Sequence, residues 1–305
     1  MTISLTTFER QVRERLLDVI YAQWHDLGVP FSTALSPSDE VIDPEALLWC
    51  SLEFFPSEPR LREGVLGWFD AAGQHIIRQR VNRRARNGEP RAGLWHVLSN
   101  AKRPQPEPPT EPLHGLESPQ QVTTFCEKLA QEWSRVEDAP KEVGRPTASP
   151  STALLWARDL FGSDIRHFLL VYLLANLGEG RLKTVQRWTG YSYRSILETA
   201  TRWEAAGVLA IDRGYCHLTD LDPWRTLLPQ GAERAIIVDW FEVFDACIGL
   251  LRALAKAGRK GLTLDSPIVR SHCRRTSEAF SSSVLGAPKR RVPGVEHLRD
   301  PIATT

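Results

Sequence analysis

Arginine and lysine are the most unevenly placed chemical groups in this 305-residue sequence. Residues 78–103 hold eight bases (Arg78, Arg80, Arg83, Arg84, Arg86, Arg91, Lys102 and Arg103) against Glu89 alone, and residues 252–291 hold ten against Asp265 and Glu278. Guanidinium and ammonium groups at this density suit a polyanion, or else they form a solvated face. Residues 39–70 run the other way, with eight acids to two bases, so the formal net charge is only +1.

Groups that would make and break covalent bonds are harder to find. The phosphate loop GxxxxGK, the dinucleotide turn GxGxxG, the zinc-protease HExxH and the serine-hydrolase GxSxG are all missing. Gly162-Ser163-Asp164 has the Gly-Ser of nucleotidyl-transferring enzymes, but a metal pair there needs a second carboxylate two residues on, and Arg166 occupies that position. Ser163 or Asp164 is read instead as a helix cap. The eight histidines show no close ligand pairing, and the five cysteines (Cys50, Cys126, Cys216, Cys247, Cys273) are too scattered for a disulfide framework or a zinc knuckle. The expectation is a protein that is not an enzyme and holds no cofactor or metal.

The elements that position these charges follow from periodicity. Phe8, Val12, Leu16, Val19, Ile20 and Trp24 lie on one helical face that ends near Gly28. Asp43-Pro44 is a cap followed by proline at the first helical position, opening a strongly apolar helix to Phe55. Pro59 opens a third helix with Leu61, Val65, Trp68 and Phe69 inside, and Ile76, Ile77 and Val81 mark a basic fourth after Gly73. Six prolines between Ala101 and Gln121 favour an extended spacer, followed by a short helix at 121–133. Residues 236–256 predict a long helix whose apolar arc needs covering, by the N-terminal helices or by a second copy of the chain. The Ser, Pro and Arg content of SSSVLGAPKRRVP predicts a mobile end.

Residues 164–220 carry the most specific pattern. A strongly apolar helix (Ile165, Phe168, Leu169, Tyr172, Leu173, Leu174) breaks at Gly178–Gly180, and a short helix follows with Leu182, Val185 and Trp188 inside. The turn Thr189-Gly190-Tyr191 leads to Ser192, a good N-cap for a helix with Ile196, Ala200 and Trp203 on its inner stripe. Residues 208–211 and 215–218 then read as strands of a hairpin around Asp212-Arg213-Gly214. With TGYS at 189–192 and WEAAGVL at 203–209, this stretch of about 60 residues resembles the winged helix-turn-helix domains of bacterial MarR- and ArsR-like transcription regulators. The resemblance implies that the helix beginning near Ser192 enters the DNA major groove. Tyr193, Arg194, Ser195 and Arg202 lie off the inner stripe. Arg194 is the base-reading candidate, since an arginine fork bonds both acceptors of a guanine edge. Lys183 and Arg187 then suit phosphates, and Arg213 at the wing tip suits phosphate or minor groove.

The expected fold is mainly α: a helical domain at 1–100, a Pro-rich linker with a short helix at 101–150, a winged helix-turn-helix domain with a small β-hairpin wing at 151–222, a long apolar helix at 223–260 and a basic, partly disordered tail at 261–305. The expected function is sequence-specific regulation of transcription on double-stranded DNA, with 236–256 either packed inside the chain or forming a homodimer. An antitoxin-like or scaffold protein, whose winged helix docks a protein partner, is the alternative. The longest apolar run, Phe168–Ala175, is far short of the ~18 residues of a membrane span, and Met1–Ile20 lacks the pattern of a secretion signal, so a cytoplasmic, non-membrane location is expected.

Overall fold

Helix caps and two sets of apolar faces organise the chain. The computed structural model describes residues 4–36, 38–85, 89–99, 111–136, 143–285 and 292–303. The protein is mainly helical with a little antiparallel sheet. α1 (Leu5–Asp26) is capped by Ser4, whose hydroxyl accepts from the Thr7 amide, and its stripe Phe8, Val12, Leu16, Ile20, Trp24 is buried as the spacing predicts. α2 (Pro44–Ser51) is capped by Asp43, whose carboxylate accepts from the Glu45 and Ala46 amides, and it is buried on every side. α3 (Pro59–Ala72), α4 (Arg78–Arg84), α5 (Pro90–Leu98) and α6 (Pro119–Val136) follow. Ile76 and Ile77 precede α4 rather than lying within it. α6 is longer than the spacer reading allows and buries Val122, Leu129 and Trp133 in the same core.

The far end of the chain completes this core. α12 (Trp240–Arg259) places Trp240, Phe244, Ile248, Leu251 and Leu254 against the N-terminal helices, chiefly α1 and α2, and against α13 (Pro267–Ser282). Of the two covers expected for this apolar arc, the N-terminal helices supply one within the chain. Within the stretch expected to be a basic, partly disordered tail, α13 and α14 (Pro293–Ala303) are helices that bury Val269, Phe280, Val295 and Leu298. Sparse apolar residues at helical spacing suffice here because the cationic positions face solvent, as Arg270 and Arg274 do beside Asp265 and Glu278. Arg86, Lys102, Arg103, Lys289, Arg290 and Arg291 of the two basic segments lie outside the described residues, as do Pro104, Pro106, Pro108 and Pro109.

A second apolar core is built from α7 (Ala153–Phe161), α8 (Ile165–Ala175), α9 (Leu182–Thr189) and α10 (Tyr193–Ala205). Strands β1 (Glu179–Arg181), β2 (Leu209–Asp212) and β3 (Tyr215–Leu218) close it as an antiparallel sheet of order β1-β3-β2, with Gly180 and Ile211 both opposite Cys216. Gly180 is required: a Cβ there would stand 2.2 Å from the Tyr172 ring. α11 (Asp222–Leu227) leads back towards the first core. There β4 (Ile237–Val238), expected to be the start of the long helix, instead pairs with β5 (Val284–Leu285). The second core is thus a unit set between two stretches of chain that share the first core.

Candidate nucleic-acid interface

α10 is positioned by its cap and its turn. Gly190 closes α9 with φ +70, a conformation costly for residues with a Cβ, and the chain then turns directly into Ser192. The Ser192 hydroxyl accepts from the Ser195 amide at 3.1 Å and lies 2.7 Å from the Ser195 hydroxyl. Ser192 is therefore the cap, and Ser195 is partly committed to it. Ile196 and Ala200 are buried, while Trp203 is only half-buried and stacks on Trp224, their centroids 6.0 Å apart.

The outward face carries the expected cations. The Arg194 side chain is 89% exposed and its Nε donates to Glu198 one turn on at 2.9 Å. A pair this open is worth a fraction of a kcal/mol and yields readily to a competing anion. Lys183 on α9, Arg202 on α10 and Arg213 in the hairpin turn are exposed and have no ion-pair partner among the described residues. Arg213 takes φ +48 to make the turn with Gly214. Tyr193 is half-buried, and its hydroxyl comes so close to Gly214 that a Cβ there would stand 3.2 Å away, so the first turn of α10 and the hairpin turn touch. Arg187 differs from the expectation: its Nη2 donates to Glu242 and to the Ser282 carbonyl, each at 2.8 Å, holding α9 to α12 and α13.

Two arginines next to this face were read only as members of a sequence pattern or not at all. Arg181 on β1 donates to the Tyr215 hydroxyl and lies 4.6 Å over its ring. Arg83 on α4 donates to the Gly190 carbonyl, so the basic fourth helix borders the turn that launches α10. The signal for Arg83 was the charge density of 78–103; only the fold could set that charge beside residue 190.

Behind the turn lies a buried ionic network with no sequence signature. Arg80 grips Asp43 with two bonds, Nη1 to Oδ1 at 3.0 Å and Nη2 to Oδ2 at 2.6 Å. It also donates to Glu45, to the Thr189 carbonyl at 3.2 Å and to the Trp188 carbonyl at 3.3 Å. Arg158 holds the other side of Glu45 at 2.8 and 2.9 Å, and donates to His167 Nε2 at 3.2 Å. Phe168 lies under both guanidinium groups, 4.7 Å from that of Arg80 and 5.5 Å from that of Arg158. Burial opposes the charge of Asp43, but the Arg80 guanidinium outweighs it and holds the carboxyl below its ordinary value. The network fixes α9 and the turn after it against α2 and α4.

His167 gives the network a pH signature. Burial first, then the neighbouring Arg158 charge, depresses its pKa to about 2. The unfolded chain takes up this proton below about 6.5 and the folded chain does not, so the contribution to stability is whole above that pH and is lost as the pH falls. Each pH unit in that window is worth about 1.4 kcal/mol. His167→Gln is therefore expected to lose about 2–3 kcal/mol less stability than the parent between pH 6.5 and 4.5, compared by urea unfolding at the two pH values. Equal losses in the two proteins would mean that His167 is protonated in the folded state.

Asp164 caps α8, accepting from the Arg166 amide at 2.7 Å, the structural role read for it in the Gly-Ser-Asp sequence. Among the described residues no three His, Cys, Asp or Glu side chains converge on a possible metal position. No protein-family model matches the chain, and neither curated proteins nor solved structures yield a match.

Proposed function

We propose that the chain is a DNA-binding transcriptional regulator, in which α8, β1, α9, α10 and the β2–β3 hairpin form a winged helix-turn-helix with α10 as recognition helix. The observation that carries this reading is the pairing of two exposed cationic points, Arg194 in the first turn of α10 and Arg213 in the hairpin turn, across the Tyr193–Gly214 contact. An arginine near the start of a recognition helix suits a guanine edge, and an arginine at a wing tip suits phosphate or minor groove. Lys183 and Arg202 supply further phosphate partners, and Tyr193 and Ser195 shape the leading turn. A helix that reads bases needs a fixed pose, and the Arg80–Asp43–Glu45–Arg158 network provides one.

Double-stranded DNA is accordingly the proposed partner, and a cytoplasmic location accords with it; no helix among the described residues is long and apolar enough to cross a membrane. Arg194→Ala is expected to cost about 1–3 kcal/mol of specific affinity and to relax preference at one base, whereas Lys183→Ala should weaken all duplexes alike and lower the salt slope by about one. Fluorescence anisotropy titrations across a salt series separate the two. Identical behaviour of both variants would remove base reading from Arg194.

A second reading has its own observation. Trp156 and Leu160 on α7 and Leu227 on α11 are 39%, 47% and 47% exposed, on the two helices whose Phe161 and Trp224 rings meet at 6.1 Å. Apolar surface of this kind favours a protein partner, so an antitoxin-like or scaffold role through this face is the alternative.

A further inference from the structure

A cavity of about 720 Å³ opens between α1, residues 33–36 and 38–42 and the start of α14, with no residue of the proposed DNA face in its lining. That volume lies in the range of small-molecule sites, about 300–1,000 Å³. Its apolar wall is Val19, Ala22, Leu35 and Ile42. Its polar wall carries the buried carboxylates of Asp26 and Glu40 and the exposed one of Glu296, with His25, His297 and several hydroxyls beside them and no lysine or arginine. Gln23, only 7% exposed, also lines it, and its Oε1 finds no hydrogen-bond donor among the described residues. A buried acceptor left unpaired is costly, and a ligand N–H would offset that cost.

We propose that this cavity is a binding site for a small organic cation bearing N–H donors, an amine or guanidine with an apolar body. Gln23 and Asp26 stand three residues apart on α1, and Glu40 lines the same cavity from the neighbouring segment. Burial raises the pKa of both carboxyls, that of Glu40 to about 7, and a cation alongside restores their charged form. Neither carboxylate is idle without a ligand: Asp26 Oδ2 accepts from the Ser151 hydroxyl at 2.9 Å and Glu40 Oε1 from the Gly294 amide at 2.6 Å. These bonds hold the wall in place.

The same wall touches both stretches of chain that enter and leave the second core. Ile42 donates to the Ser151 carbonyl at 2.8 Å, just before α7, while Val41 donates to the Ile236 carbonyl at 2.9 Å, and Ile236 to that of Asp39 at 2.7 Å. An occupant therefore bears on residues 39–42, which bridge the two crossings.

The test uses the full chain and does not depend on DNA binding. Agmatine and phenethylamine are titrated calorimetrically, with phenylacetate as the anionic control, and hydrogen exchange maps the footprint. At least one cation is expected to bind with a Kd of about 1 mM or tighter, and phenylacetate not to bind. Exchange should slow at 19–26, 39–42 and 149–152. Gln23→Met removes an unpaired acceptor, so it should fold with an unchanged or higher Tm while weakening the cation about fivefold. Asp26→Asn should weaken it further. The site is overturned if neither cation binds, if phenylacetate binds equally well, if Gln23→Met binds as the parent does, or if protection appears elsewhere.

Discussion

Arg80→Ala is expected to lower the unfolding free energy by about 3–5 kcal/mol, the usual cost of removing one partner from a buried ion pair. Asp43 loses both guanidinium bonds, Glu45 keeps Arg158 and the Ile77 amide, and the carbonyls of Trp188 and Thr189 lose the Arg80 donor. Because those carbonyls end α9, amide exchange at 188–191 should accelerate along with the loss of stability. Arg83→Ala, three residues on and exposed, should change stability by less than about 0.5 kcal/mol. Chemical denaturation of both variants checks the contrast. A loss under about 1 kcal/mol for Arg80→Ala would mean that the network is not the anchor between the two cores.

Trp240→Ala is expected to cost about 3–5 kcal/mol as well, for a different reason. The Trp240 ring is fully buried and stacks on Phe244 with centroids 5.1 Å apart, and its Nε1 donates to the Val41 carbonyl at 2.9 Å. Truncation leaves a cavity in the first core and an unpaired carbonyl on the segment that touches both chain crossings. If residues 236–256 served as a dimer interface, the same change would instead dissociate a dimer and leave the folded chain almost as stable. Thermal unfolding followed with analytical ultracentrifugation distinguishes these outcomes: a large fall in Tm with unchanged sedimentation is expected.

What was legible in the sequence was local. The caps at Asp43, Asp164 and Ser192, the turn glycine Gly190 and the 2.0 and 3.6 periodicities of residues 165–218 act within a few residues of themselves, so they can be read in order along the chain. The exposed positions of Lys183, Arg194, Arg202 and Arg213 follow from the same periodicity. What escaped depended on distant partners. Arg80 looked like one more base in a basic run, yet it is buried by Asp43, 37 residues before it, and by Thr189, 109 residues after it. Arg187 shares a helix face with Lys183 but meets Glu242, 55 residues on. α13 and α14 carry so few apolar residues among serines and arginines that composition outweighed periodicity, and only contact with α12 and α1 reveals what Phe280 and Leu298 cover. The cavity beside Gln23 is likewise assembled from four stretches of chain, none of which has a motif of its own.

Selection of bound duplexes from a random library, using the full chain and Arg194→Ala in parallel, tests the proposed function most directly. A DNA-reading α10 predicts enrichment of a defined motif by the parent and loss of preference at one base, a guanine, in the variant. No enrichment, or the same motif recovered by both proteins, would contradict base reading by Arg194 and turn attention to the exposed Trp156–Leu160–Leu227 face as a protein-docking surface.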